Sequence, residues 1–208
     1  MIIMNGIRAL FILNMGYLLW IGDRTNLIAV TMALVASFFP WIMRKILRVK
    51  TPLSFDLFGI LFILLSQWAG TYLRAYDIFP WWDVFLHGIS GILIGLFGII
   101  LIACFDKKGK LYEEKSYGLI SLIIFLTSCS SATLWEISEY LGDLYLGTNA
   151  QLGSLPDTME DMLICVVVGI VFALYHYYIF ATKKDTYLSK EIEAFIKENK
   201  PKVKAIAS

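Results

Sequence analysis

The amino-acid sequence predicts an all-α fold: a polytopic bundle of six transmembrane helices with both termini cytoplasmic. Three observations carry that expectation. Of the 208 residues, 58% are hydrophobic and only 17% charged, and the mean hydropathy is +0.69, well outside the range of a water-soluble domain. Six runs are long and apolar enough to cross a bilayer, which takes roughly 20 such residues. The remaining charges sort into alternate loops behind a formal net charge of only +1, and that sorting sets orientation.

The first helix is expected from about Gly6 to Ile21 and contains Asn14. Arg8 near its start gives it the look of a signal peptide, but no small-residue cleavage site follows and further spans do, so it is read as a retained helix. After the turn Gly22-Asp23-Arg24-Thr25-Asn26, a second helix is expected from Leu27 to Met43. A basic loop with Arg44, Lys45, Arg48 and Lys50 leads to Pro52, and the third helix runs from Ser54 to Leu73 with Gln67 near its end. Arg74 and Asp77 lie just beyond. Tyr76, Phe79, Trp81 and Trp82 gather around Pro80, the composition of an interfacial aromatic belt.

The fourth helix, Trp82 to Phe105, opens with Asp83 and His87 and carries Gly88, Gly91, Gly95 and Gly98. Gly91 and Gly95 are four apart, so one stripe lacks side chains and can pack closely on a neighbour. A charged loop from Asp106 to Lys115 precedes the fifth helix, Tyr117 to Leu141, which turns small and polar at Ser128, Ser130 and Ser131. Ser154-Leu-Pro-Asp157 has the form of a helix cap with proline in the first turn, so the sixth helix starts there and runs to Phe180. Residues 1–182 form the membrane domain and 183–208 a polar cytoplasmic tail. In that tail Leu188, Ile192, Phe195 and Ile196 have helical spacing, which fits either a short amphipathic helix on the membrane surface or a solvated tail. Cys104, Cys129 and Cys165 lie in apolar spans without metal or redox spacing and are read as buried thiols.

Of the 18 Lys and Arg residues, four follow helix two, four follow helix four and seven lie in the tail, while the loop between helices five and six has none. Basic loops stay cytoplasmic. The ends of helices four, five and six that carry acids therefore face outward.

Those ends hold the candidate site. From Trp135 to Asp161 there are six carboxylates and no Lys or Arg, a costly arrangement beside a membrane that marks function. Glu136, Glu139 and Asp143 share one face of helix five, Asp157 and Asp161 lie one turn apart on helix six, and Asp83 and His87 one turn apart on helix four. Asp83, His87, Glu136, Glu139, Gln151, Asp157 and Asp161 are expected to line one polar cavity sunk into the outer leaflet. Packed carboxylates must share protons, pair with a cation or hold a metal. Glu136, Asp157 and Asp161 are the candidate ligands, and oxygen-rich ligation suits Mg²⁺, Mn²⁺ or Ca²⁺ better than zinc. Glu136, Glu139, Gly153, Asp157 and Asp161 also fall at the spacing of the two-metal motif of the CDP-alcohol phosphatidyltransferases, although Tyr140, Asp143 and Leu144 stand where that family has Gly, Ala and Arg.

Asp83-x-x-x-His87, Trp135-Glu136, Gln151 and Asp157-Thr-Met-Glu-Asp161-Met resemble the bacterial membrane-protein family typified by YjdF, over roughly Tyr72 to Leu174. More distantly the chain is similar to VanZ-like proteins, named for a factor in low-level teicoplanin resistance. In the VanZ-like pattern Lys, Gln and Asn stand where this chain has Val84, Glu139 and Asp161, and Gly169 comes later. The resemblance implies a multi-pass protein of the bacterial plasma membrane.

The leading functional expectation is an acidic outer-leaflet cavity that engages a lipid headgroup or lipid-linked precursor through a divalent cation. A small cation- or proton-coupled transporter and a structural protein with a buried polar network are the alternatives. The expected partners are the bilayer and a lipid-linked substrate, not nucleic acid. There is no nucleophile with an evident base and no phosphate-cradling glycine loop, so no reaction class is assigned.

Overall fold

A computed structural model describes residues 2–106, 108–147, 150–151 and 153–199. Among them all regular structure is helical. The elements are α1 (Ile2–Ile21), α2 (Arg24–Ala36), α3 (Phe39–Leu47), α4 (Leu53–Ile63) continued by a π-helical segment (Leu64–Tyr72), α5 (Ala75–Ile78), α6 (Trp82–Phe105), α7 (Lys110–Glu113), α8 (Tyr117–Leu146), α9 (Leu155–Ala181) and α10 (Tyr187–Asn199). Six stretches among the described residues are long and apolar enough to cross a membrane.

The crossings follow the apolar runs of the sequence, with differences that have local causes. The second crossing is two helices rather than one, because Pro40 occupies the first turn of α3 and a proline there cannot donate back into α2. The third crossing loosens into a π-helix from Leu64, a form that clusters at functional sites. Within it a Cβ on Gly70 would collide with the ring of Tyr76, so the missing side chain lets that ring dock. The fifth crossing continues to Leu146 and stops at Gly147, whose left-handed φ of 69° is the usual glycine helix stop. Ser154 caps α9 by accepting a hydrogen bond from the Asp157 amide at 3.3 Å.

Two packed halves result. In the larger, α6, α8 and α9 pack on one another around Ile99, Ile120, Ile124, Phe172 and Ile179, and α10 adds fully buried Ile192 and Phe195. Residues 200–208, the remainder of the expected tail, lie outside the described residues. Gly91 and Gly95 lie where α6 packs tightly on its neighbours. A Cβ on Gly91 would sit 3.2 Å from the Cys165 carbonyl oxygen, and one on Gly95 would sit 2.6 Å from Phe172. Ser128 Oγ donates across the same seam to the Gly91 carbonyl at 2.9 Å. In the smaller half Phe11, Leu18, Val30 and Ala33 pack with Leu64, Trp68 and Tyr72 of the π-helical segment.

The outward surface is apolar, with Trp20 83% exposed and Leu13 73% exposed. Water does not tolerate so continuous an apolar surface, whereas bilayer hydrocarbon does. Phe79, Trp81, Trp82 and Phe85 cluster at the start of α6, the Phe79 and Trp81 rings 5.5 Å apart, the composition of an aromatic belt.

Candidate functional site

The first turn of α6, the last turns of α8 and the first turns of α9 meet at one end of the larger half. On α6 the one-turn spacing brings His87 Nε2 to 3.6 Å from Asp83 Oδ1, and from α9 Asp161 Oδ2 reaches within 3.9 Å of the same nitrogen. One ligand atom each from Asp83, His87 and Asp161 can be chosen so that all three lie within 4.8 Å of one another. Asp161 is only 3% exposed and His87 8% exposed, whereas the Asp83 side chain is 37% exposed. The cluster therefore has a buried floor and an open rim.

The backbone around His87 is tied down. Its carbonyl accepts from Ser90 Oγ at 2.8 Å and from Cys165 Sγ at 3.2 Å, so the buried thiol on α9 fixes the turn of α6 that presents the imidazole. Such supporting bonds set how a ligating side chain points.

Asp83, His87 and Glu139 line a cavity of about 400 Å³ together with Tyr76, Gln67 and Trp135. Glu139 accepts a hydrogen bond from Trp135 Nε1 at 2.8 Å. Tyr76 is outside the spans, and burial, then the charges of Asp83, Glu139 and Asp161, push its phenol well above its ordinary value. It stays protonated and keeps its O–H to donate. Glu136, Asp157 and Asp161 are not part of this lining, yet the charges of Asp83, Asp157, Glu136 and Glu139 all bear on Asp161. Glu136 is 5% exposed, and its Oε1 is buried with no hydrogen-bond partner.

Two of the acids and Gln151 build the hairpin between α8 and α9. Asp143 accepts from the amides of Ala150 at 2.7 Å and Gln151 at 3.0 Å, and Gln151 Nε2 donates to the Glu136 carbonyl at 3.4 Å. No Lys or Arg balances the cluster among the described residues. Arg74, the nearest by sequence, is held by Asp77 at 2.7 Å.

The family described as "Predicted membrane protein (DUF2238)" matches residues 3–182. The chain belongs to this family. It is an integral membrane protein. No curated protein and no solved structure matches it.

In this DUF2238 protein Asp83, His87 and Asp161 are close enough together to hold an ion, and they share Asp161 with the set Glu136, Asp157 and Asp161 to which the sequence spacing pointed. Helical periodicity shows which residues share a face but not which faces meet across helices. Gln67 and Tyr76 also belong to the cavity wall. Their signal was a lone amide late in an apolar span and a tyrosine at its edge.

Proposed function

We propose that the acidic cavity engages a phosphate-bearing lipid headgroup through a divalent cation held by Asp83, His87 and Asp161. The observation that carries this reading is their convergence next to a buried Glu136 oxygen that has no partner. One imidazole cannot balance five neighbouring carboxylates, so the cluster needs shared protons or a bound cation. Carboxylate oxygens with one imidazole suit Mn²⁺ or Mg²⁺, with Ca²⁺ as the larger oxygen-seeking alternative. Phosphate alone would be repelled from an acidic cavity. A cation turns that repulsion into attraction, and the protonated Tyr76 adds a donor at the wall.

The same reading places the protein in the bacterial plasma membrane, with residues 1–182 as the membrane domain, residues 183–208 and both termini on the cytoplasmic face, and likeness to YjdF and, more distantly, to VanZ. The absence of Lys and Arg between α8 and α9 supports that orientation. In intact cells a membrane-impermeant thiol reagent should label Ala150→Cys and not Asp185→Cys on a cysteine-free background. The reverse pattern inverts the topology.

The cation is tested by thermal unfolding of purified protein against Mg²⁺, Mn²⁺ and Ca²⁺. Wild type should be stabilised by at least one of them, by about 2.7 kcal/mol at a hundredfold excess over Kd, and Asp161→Asn should lose the response. A response to pH but to none of the three ions would favour the transporter reading, in which Asp83, His87 and Asp161 relay protons.

A further inference from the structure

The acidic cavity is not closed at its inner end. Ser66, Gln67, Ser131 and Trp135 line it and also line a second space of about 660 Å³ that continues down the bundle to Arg44 and Asp56. The walls of this second space are almost entirely apolar. They come from both packed halves: α2 and α3 on one side, and α4, α6 and α8 on the others. It is a cleft between groups of helices that is open along part of its length, since Met32 and Trp135 on its walls are 60% and 56% exposed. Met32 and Met43 line it, flexible side chains that adapt to an irregular guest.

Its length selects among lipids. On α6 the lining runs from Asp83 at the acidic end, through Leu93 and Ile94, to Ile100. At ~1.5 Å per residue, Asp83 to Ile94 spans about 16 Å and Asp83 to Ile100 about 25 Å. The hydrocarbon core is ~30 Å thick, so one leaflet is about 15 Å. A diacyl lipid with its head at Asp83 would end near Ile94 and leave the inner part of the cleft empty. A lipid entering from the other end would need a free cation for its head, but Arg44 is paired with Asp56 and within 3.3 Å of Thr51 Oγ1.

We infer that the cleft holds the hydrocarbon chain of a long polyisoprenoid lipid, a chain longer than one leaflet, with its phosphate-bearing head at the acidic cavity. The inference rests on the proposed headgroup site for its polar half and on the cleft for its apolar half, and the two can fail separately. Gly59 offers a way to block the cleft. Gly59 lines the cleft and not the acidic cavity, and within 4 Å a Cβ there would meet only Leu93 and Pro40, both at 3.9 Å. Ala36 on α2 lines the same space.

The test uses the full chain in detergent micelles with Mg²⁺, and binding of undecaprenyl phosphate, farnesyl phosphate and dioleoyl phosphatidate followed by native mass spectrometry. Undecaprenyl phosphate should bind at least about tenfold tighter than farnesyl phosphate, a difference set by chain length alone. Gly59→Leu and Ala36→Trp should each bring the two to parity by lowering the affinity for undecaprenyl phosphate. Equal affinity of wild type for the long and short chains overturns the inference, as does binding of dioleoyl phosphatidate as tight as that of undecaprenyl phosphate. Should the blocking variants misfold, the wild-type series still decides. Undecaprenol without its phosphate is the separating probe. If it binds as tightly as the phosphate, the chain stays in the cleft and only the headgroup reading falls.

Discussion

At the end of the bundle that carries α10, buried polar groups form closed sets. Asp56 is 4% exposed and is paired with Arg44, while Thr51 Oγ1 donates to its other oxygen at 2.8 Å. His176 is fully buried, with Tyr112 Oη 3.0 Å from Nε2 and Ser121 Oγ 2.9 Å from Nδ1. Burial, and then the neighbouring Tyr117, raise the Tyr112 phenol, so it stays protonated, and the ring tautomer sets which of the two donates. Ser54 donates to Glu191, and Asn199 exchanges hydrogen bonds with the Lys50 backbone, accepting at 2.8 Å and donating at 2.9 Å. At the opposite end five carboxylates, Asp83, Glu136, Glu139, Asp157 and Asp161, bear on one another with a single imidazole among them, and an oxygen of Glu136 has no partner. Folded proteins seldom leave buried polar groups unpaired, and violations concentrate where function is served. The contrast fits a stabilising role for the first end and the binding role proposed for the second.

The largest effect is expected where the contrast says stability resides. Asp56→Ala leaves the Arg44 charge partly buried without its counter-ion, and should cost about 3–5 kcal/mol in denaturant unfolding of the purified protein. Wild-type stability in this variant would break the comparison at its firmer end. A smaller loss is expected midway between the ends. Gly95→Leu drives a branched side chain into Phe172 and Ile124, where even a Cβ would lie 2.6 Å and 3.2 Å away, at the upper end of the overpacking cost, about 3 kcal/mol. If it melts like wild type, α6 does not pack there as described. Replacing His176 by Phe keeps the ring against Phe180, 4.8 Å away between centroids, but strands the buried Ser121 hydroxyl. The loss should be about 2 kcal/mol, and an unchanged melting temperature would remove the imidazole from the set.

How much of this was legible in the sequence differs between the two ends for a physical reason. The six crossings are readable because burial in lipid requires uninterrupted apolar runs, whereas the break at Pro40 and the stop at Gly147 were passed over, the second helix being expected to run on to Met43 and the fifth to end at Leu141. The acidic end was legible because its members crowd into helix ends and lack counter-charges in the sequence itself. The Arg44–Asp56 pair was not, because Arg44, in the last turn of α3, belongs to a basic run whose charge reads as a topology signal, and its partner lies across the break at Pro52. His176 looked like one aromatic among several in an apolar helix. Its partners are 64 and 55 residues away in the chain, and only packing brings them to it. The π-helical turn that carries Gln67 to the cavity left no periodic trace, since α and π geometry differ by one residue per turn and the span is apolar throughout.

The smallest expected change in stability is the one that most sharpens the contrast. Glu136 is as buried as Asp56, so burial alone predicts that both variants are damaging. What differs is the surroundings: Asp56 faces a guanidinium, whereas Glu136 faces the charges of Asp83 and Asp157 and has only neutral hydrogen-bond partners, Gln151 and Thr158. Glu136→Gln keeps shape and removes one charge from a group of like charges, so without added cation it should leave stability within about 0.5 kcal/mol of wild type or raise it. The measurement is the midpoint of denaturant unfolding in chelator-treated buffer at neutral pH, for wild type, Glu136→Gln and the double variant with Asp161→Asn. If the acids repel, the double variant is at least as stable as the single ones. If instead they share protons in a satisfied network, each amide breaks a hydrogen bond and the losses appear at once, growing in the double variant. A loss of about 1–3 kcal/mol in Glu136→Gln would make the two ends alike, and the acidic end would then be structural rather than a binding site.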